Sequence, residues 1–237
     1  EINKESIDKL AEKAVQSAQN TKEDTELIAK VVAVASDELV NKVVEEVSKN
    51  STDENQALSA KVMKSIVETN PEKIETLSDE NKETIITQTI EAAKNQAEGT
   101  SSDDIDLTNT IAEIITKSNT GTAAKVLETL EEVSDESASK LSLNIISNLT
   151  KQENYEEKME ILSATSSIVE QSITKLVEKA VDNASSEEDL EIVTNIVEKS
   201  KGTIADKVIN SANKSEENKK KITKVIVKVV EKNPEKA

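Results

Sequence analysis

The chain contains no cysteine, histidine, tryptophan, phenylalanine or arginine, and Tyr155 is the only aromatic residue among its 237 residues. Without cysteine it can form neither disulfides nor thiolate metal sites, so the redox compartment cannot be read from its composition. Without histidine or cysteine, a nucleophile would need a carboxylate, a lysine or Tyr155 as its activating base. We therefore predict that the protein is not an enzyme and uses no metal or cofactor.

The charge of the chain excludes further classes of partner. Its formal net charge is −17, which repels phosphate backbones, and no basic surface interleaved with aromatic residues is present to overcome this repulsion. No apolar run approaches the roughly 18 residues that a membrane span requires. We therefore expect neither nucleic acid binding nor a membrane span. Because the sequence begins with Glu1 instead of Met, we expect a processed chain or a segment of a longer protein.

The apolar residues are almost all valine, isoleucine, leucine and alanine. A core without large aromatic side chains is thin and aliphatic, which suits two layers of short helices. Charged residues make up 32% of the chain, yet the regular spacing of the apolar residues is not typical of disorder. Strict alternation of apolar and polar residues never persists, so strands are not expected. The prediction is an all-α fold.

A degenerate repeat is visible along the chain. Residues 28–50 read IAKVVAVAS-DELVNKVVEEVSKN, which predicts a helix, a Ser-Asp break that can cap the next helix, and a second helix. Similar hairpins begin near residues 58, 109, 160 and 191. Their second helices are predicted to open at Pro71, Thr120, Ser172 and Lys201, and segments 83–96 and 137–150 add further helices. The first helices align at the following residues: Ala29, Ala60, Ala112, Ala164, Thr194 and Thr223.

This pattern predicts one elongated domain over residues 1–237, an array of short antiparallel helical hairpins with repeats of about 26–31 residues. Such an array resembles the broad class of α-solenoids that includes HEAT and armadillo proteins. The resemblance is architectural, because the sequence lacks the Pro, Asp and Arg positions that are characteristic of HEAT repeats. It implies a structural or protein-binding role.

The last repeat is half complete. The segment KITKVIVKVVEKN-PEKA ends shortly after Pro234, whereas the similar Asn70-Pro71 dipeptide is followed by a predicted second helix. We expect either a chain cut within a repeat or a missing helix that a neighbouring copy supplies through its amino terminus, with Ile2 and Ile7 as contacts. An uncapped solenoid end exposes apolar surface and favours association.

The carboxy-terminal segment is basic although the whole chain is acidic. From Glu216 onwards there are seven lysines and four glutamates, a net charge of +3 that leaves −20 on the preceding residues. Five of these lysines are candidate assembly contacts with an acidic surface of another copy: Lys219, Lys220, Lys221, Lys224 and Lys228. The alternative is a solvated last helix that makes no such contact.

Two other features have both a functional and a structural interpretation. Acidic clusters at residues 51–55, 102–106 and 185–189 offer oxygen ligands to calcium, but they also suit helix amino termini, which is the favoured interpretation. Tyr155 and Met159 lie one helical turn apart, where they form either a contact surface or, as we favour, local packing.

These observations predict a structural, self-assembling helical-repeat protein whose partners are copies of itself, as a subunit of a filament or layer outside the cell or at its surface. The alternative is a cytoplasmic adaptor that binds a protein or peptide on a concave solenoid face. The heavy use of Lys, Asn, Ile and Glu is typical of an AT-rich genome and indicates a bacterial source.

Overall fold

The computed structural model describes residues 35–49, 52–97, 106–133, 139–199 and 203–232, together with Lys9, Lys13, Leu27, Ile28 and residues 30–32. No strand occurs within these residues. The α-helices are α1 (Asp37–Val47), α2 (Asp53–Thr69), α3 (Asp79–Ala97), α4 (Leu107–Lys117), α5 (Thr120–Val133), α6 (Ser139–Leu149), α7 (Tyr155–Thr165), α8 (Ser167–Asn183), α9 (Glu187–Lys199), α10 (Thr203–Asn210) and α11 (Glu216–Lys232). Single 3₁₀ turns span Pro71–Ile74 and Ser211–Asn213. The predicted all-α fold is confirmed.

Several helix boundaries follow from capping residues that the sequence displays. The Oγ of Ser36 accepts a hydrogen bond from the backbone N–H of Leu39 at 3.3 Å, which fixes the start of α1 at the predicted Ser-Asp break. Asn119 similarly accepts from the backbone N–H of Thr122 at 2.9 Å, at the start of α5. The predicted extra helices of residues 83–96 and 137–150 correspond to α3 and α6.

Two predicted second helices are wrong. Pro71 opens one 3₁₀ turn instead of an α-helix, because Ser78 caps the backbone N–H of Asn81 and starts α3 only a few residues later. The break expected at Ser172 lies instead at Ser166, whose extended backbone and side-chain bond to the N–H of Ile168 begin α8. Ser172 is in the interior of α8, where its hydroxyl donates to Glu131 at 2.7 Å.

The core is one continuous aliphatic cluster along the array. Its largest fully buried side chains are mainly isoleucines, including Ile66, Ile85 and Ile111, and the one aromatic residue, Tyr155, is 8% exposed. Met159 is 1% exposed, so both rare large side chains belong to the helix packing, as favoured from the sequence. This core is aliphatic, as the sequence predicts.

Packing between the helices proceeds stepwise along the chain. The helix α2 packs on α1, α3 and α4, the helix α5 packs on α3 and α8, and the helix α9 packs on α6 and α11. Within the described part of the chain, extensive contacts join helices that are at most three places apart in the sequence. Packing that stays local along the chain is expected of a helical array.

Hydrogen bonds between helices show the spacing of the array. Most of them join residues 37–44 positions apart, as in the bonds of Lys224 to Glu187 and of Lys175 to Glu131. This spacing is longer than the 26–31 residues predicted, because the bonds join helices that lie two or three places apart in the sequence. Gln56 and Ser59 near the start of α2 contact Asn95 and Gln88 of α3, so these two helices run in opposite directions. The antiparallel arrangement of the remaining hairpins stays a prediction.

Two lysines bind backbone carbonyl oxygens that lie about 40 residues earlier in the chain. The amino group of the buried Lys73 donates to the carbonyl oxygens of Val32 and Ala35, at 2.9 and 2.6 Å. In the same way, Lys158 donates to the carbonyl oxygen of Ser118 after α4. The last carbonyls of a helix lack partners within the helix and carry partial negative charge, so a lysine there satisfies both needs.

Candidate functional site

All five lysines that the sequence suggests as assembly contacts lie on α11, and three of them bind other parts of the same chain. The amino group of Lys224 lies 3.4 Å from a carboxylate oxygen of Glu187, and that of Lys228 lies 3.0 Å from the other oxygen. Lys221 donates to the carbonyl oxygen of Asp182 at 2.7 Å, near the end of α8. These side chains hold α11 against α8 and α9.

The other two lysines have only local contacts. Lys219 lies 3.8 Å from Glu216 on its own helix, and Lys220 is exposed. The remaining three predicted contacts, Ile2, Ile7 and Pro234, lie outside the described residues. The predicted role of these eight residues in assembly stays a prediction.

The contacts between α9 and α11 shift the pKa values of the charged groups that form them. The hydrogen bond from Lys228, followed by the contact with Lys224, holds the pKa of the Glu187 carboxyl below its ordinary value. Hydrogen bonding to Glu187 raises the pKa of Lys228. Lys232 lowers the pKa of Glu191 in the same way. Because these groups are exposed, they orient α11 more than they stabilise it.

The opposite face of α11 is apolar and uncovered. Ile226 and Val230 each lie two positions from lysines that bind α9, which is about 200° around an α-helix. Ile226, Val227 and Val230 are 42, 49 and 39% exposed. The buried side chains Ile222 and Val225 lie between the two faces and attach α11 to the array. We call Ile226, Val227 and Val230 the apolar stripe of α11.

A related arrangement occurs on α10. Lys207 reaches back to α8, where its amino group donates to the hydroxyl of Thr174 at 2.7 Å and lies 3.6 Å from Glu170. Ile209 follows Lys207 by two positions and is 41% exposed. Asp206, which precedes Lys207, is also exposed. Both α10 and α11 therefore have an exposed aliphatic residue opposite a lysine that points back along the array.

The number of apolar residues in α11 already indicates this stripe, although the stripe was not among the residues predicted from the sequence. Within α11, the six apolar residues from Ile222 to Val230 cover more of the helix surface than one buried face requires. An amphipathic helix packed on one side needs a stripe only about 100° wide. The excess apolar residues on α11 therefore indicate an exposed apolar face in addition to the buried one.

The acidic clusters act as helix caps where the structure describes them. The carboxylate of Asp189 accepts from the backbone N–H groups of Ser186 and Ser185 at 3.0 and 3.2 Å, while the Ser186 hydroxyl accepts from the N–H of Asp189. Burial raises the pKa of Asp189, but these hydrogen bonds outweigh it and leave the pKa below its ordinary value. Asp106 caps α4 through the N–H of Asn109 at 3.0 Å. The capping interpretation is confirmed for these two clusters.

A polar cleft of about 350 Å³ lies between α3 and α5. Its charged residues are largely matched with one another, because Lys125 lies 2.9 Å from Glu83. Beside it, Glu75 accepts hydrogen bonds from the backbone N–H of Asn119 at 2.8 Å and from the Thr122 hydroxyl at 2.9 Å. These contacts join successive steps of the array. Among the described residues, no group of three or more acidic side chains is arranged to hold a metal ion.

Comparison with known proteins finds no family model that matches the chain and no curated protein of similar sequence. None of the described helices combines the length and the apolar content that a membrane span requires. The surface features of α10 and α11 therefore have to be interpreted from their own chemistry.

Proposed function

We propose that this chain is a structural helical-repeat protein that associates with copies of itself, as a subunit of an extended filament or layer. The observation that carries the proposal is the apolar stripe of α11. Three aliphatic side chains side by side on one helix face, each roughly 40 to 50% exposed, leave apolar area in water that a partner can bury.

The charge distribution supports a second copy as that partner. The helix α11 carries six lysines and three glutamates, whereas the chain as a whole has a net charge of −17. A basic surface on an acidic molecule attracts the acidic surface of another copy. The stepwise packing of the array also suits extension, since extensive contacts among the described helices stay within three places in the sequence.

We further propose that the assembly lies outside the cell or at its surface and that the array belongs to the broad HEAT and armadillo-like class. The first proposal is supported by the composition, because a chain without cysteine, histidine or large aromatic residues suits exposed structural material. The second is supported by the hydrogen bonds that join helices about 40 residues apart.

The test is sedimentation velocity of the 237-residue chain over a wide range of concentrations. We expect species that grow with concentration in the wild type, and single chains in a variant with both Ile226→Glu and Val230→Glu. The matched control is Ile161→Glu on α7, because Ile161 is 47% exposed and lies away from α11. Circular dichroism of each variant shows whether its helices are intact. Single chains of the wild type at every concentration would contradict the proposal.

A further inference from the structure

From α2 to α11 the helices form two rows, and α7 belongs to neither. In the first row, each helix packs on the next in the order α2, α4, α6, α9 and α11. In the second row the order is α3, α5, α8 and α10. Within the described part of the chain, the extensive contacts of α7 are all with the second row, on α5, α8 and α10. The helix α7 is therefore an insertion against the second row, and insertions in helical-repeat proteins often carry the binding face.

Buried contacts hold α7 in place. Asn154, immediately before α7, has a φ of 59°, and it is the only non-glycine residue with a positive φ among the described residues. Asparagine tolerates this left-handed conformation better than most residues. Tyr155 and Met159 then pack into the core, and the Tyr155 hydroxyl lies 3.4 Å from the carbonyl oxygen of Lys199. A helix fixed in this way presents its outer side on a rigid support.

The outer side of α7 is apolar at its centre. Ile161 is 47% exposed, and Ala164, three positions later on the same side of the helix, is also exposed. One residue, Ser166, connects α7 to α8, whose second residue is Ile168. Ile168 is 60% exposed, the highest value among the large hydrophobic residues that the structure describes. Exposed apolar residues that cluster, unlike single ones, mark interaction sites.

Carboxylates lie beside this apolar centre. Glu157 and Glu160 are exposed and precede Ile161 by one helical turn and by one position. Lys158 is the only lysine of α7, and its amino group points into the array, where it donates to the carbonyl oxygen of Ser118. The exposed side of α7 therefore carries negative charge that no lysine of its own helix balances. We call the following residues the corner surface: Glu157, Glu160, Ile161, Ala164 and Ile168.

We infer that the corner surface binds a basic amphipathic segment of another protein, in which aliphatic or aromatic side chains are flanked by lysine or arginine. The apolar side chains of such a segment cover Ile161 and Ile168, and its cations pair with Glu157 and Glu160. This inference goes beyond the proposed self-association, which uses α11.

The charge of the corner surface selects against other classes of partner. Its carboxylates repel the phosphate backbones of nucleic acids and anionic lipid headgroups. Two corner surfaces placed face to face would also repel each other, in a chain whose net charge is already −17. A cationic partner is attracted by the same charges.

Fluorescence anisotropy tests the inference with a defined probe, a labelled amphipathic helix built only of leucine and lysine. We expect the variant with both Ile161→Ser and Ile168→Ser to bind this peptide about tenfold more weakly than the wild type, because two aliphatic contacts are lost. The matched control combines Ile226→Ser with Val227→Ser on α11, where the side chains are 42 and 49% exposed, and should bind like the wild type. All titrations use chain concentrations below those at which sedimentation detects self-association.

Removal of carboxylates separates the corner surface from the general acidity of the chain. Glu157→Gln with Glu160→Gln should weaken binding of the leucine–lysine peptide by about fivefold, the size expected for two exposed ion pairs. Glu45→Gln with Glu72→Gln removes the same charge at exposed positions away from α7 and should leave the affinity close to that of the wild type. Equal weakening in both variants would show that the peptide binds to charge in general and would overturn the inference.

The remaining outcomes distinguish this inference from the proposed function. Unchanged peptide affinity in the variant with Ile161→Ser and Ile168→Ser would overturn the inference and leave self-association standing. Reduced self-association of that variant in sedimentation would assign the corner surface to contacts between copies, which also overturns the inference. Peptide binding that requires the corner surface, in a chain that stays single at every concentration, would support the inference and contradict the proposed function.

Discussion

Lys73 provides the sharpest test of how the steps of the array are joined. It is 8% exposed, and its amino group donates to the carbonyl oxygens of Val32 and Ala35 at 2.9 and 2.6 Å. A hydrogen bond from a charged donor contributes about 1.5–3 kcal/mol, and a buried carbonyl left without a partner costs a similar amount. Replacement by methionine keeps most of the aliphatic packing. We expect Lys73→Met to lower the free energy of unfolding by about 2–4 kcal/mol.

The assay is urea unfolding followed by circular dichroism, with Lys42→Met as the control. Lys42 also ends in an amino group but is 53% exposed and lies 3.6 Å from Glu38 of its own helix. Its replacement should cost no more than about 0.5 kcal/mol. If Lys73→Met unfolded within about 0.5 kcal/mol of the wild type, the hydrogen bonds of Lys73 to the carbonyl oxygens of Val32 and Ala35 would not contribute to stability.

Three further predictions concern the core, a cap and an ion pair. Ile66→Ala, at a position with no exposure, should cost about 2–5 kcal/mol in urea unfolding, whereas Ile168→Ala, 60% exposed, should change stability by less than about 0.5 kcal/mol. The stabilisation from Asp189, whose pKa is lowered by folding, is complete above its ordinary value near 3.8 and is lost as the pH falls through the lower folded value. Asp189→Asn should therefore cost about 1 kcal/mol at neutral pH and nothing in strong acid, as measured by unfolding at both pH values. Glu131→Gln should cost less than about 1 kcal/mol in the same assay, because Glu131 is partly exposed and paired with Lys175. This cost should be smaller at high salt, where screening already weakens the ion pair.

The all-helical class was predictable because it depends on local patterns. Aliphatic residues spaced for helices, with Ser36 before α1 and Asp106 before α4, define helices whose caps need no tertiary information. The interpretation of residues 185–189 as a cap followed from the same chemistry. These capping side chains lie within four residues of the backbone N–H groups from which they accept hydrogen bonds.

The pairing of helices was not predictable in the same way. The sequence alignment placed Ala164 with Ala60 and Ala112, yet α7 packs on α5, α8 and α10, whereas Ala60 and Ala112 lie on the mutually packed α2 and α4. Short repeats that share alanine and valine can be aligned in several registers, and only contacts across about 40 residues choose among them. The Pro71–Ile74 segment was not predictable either. It forms a single 3₁₀ turn, because Ser78 caps the start of the next helix a few residues later.

The candidate surface was only partly predictable. The basic character of α11 is a property of composition, but which lysines face α9 depends on helix phase, and Lys224 and Lys228 proved to bind Glu187 of their own chain. The exposed stripe follows from the same phase, since Ile226 and Val230 lie opposite those lysines. Helix phase relative to the array is set by the burial of Ile222 and Val225.

The most direct test of the central claim is negative-stain electron microscopy of the wild-type chain at increasing concentrations and at low and high salt. The account predicts elongated polymers at high concentration, shorter at high salt because screening weakens the pairing of lysines with carboxylates between copies. Dispersed particles of single-chain size under all conditions would contradict self-association.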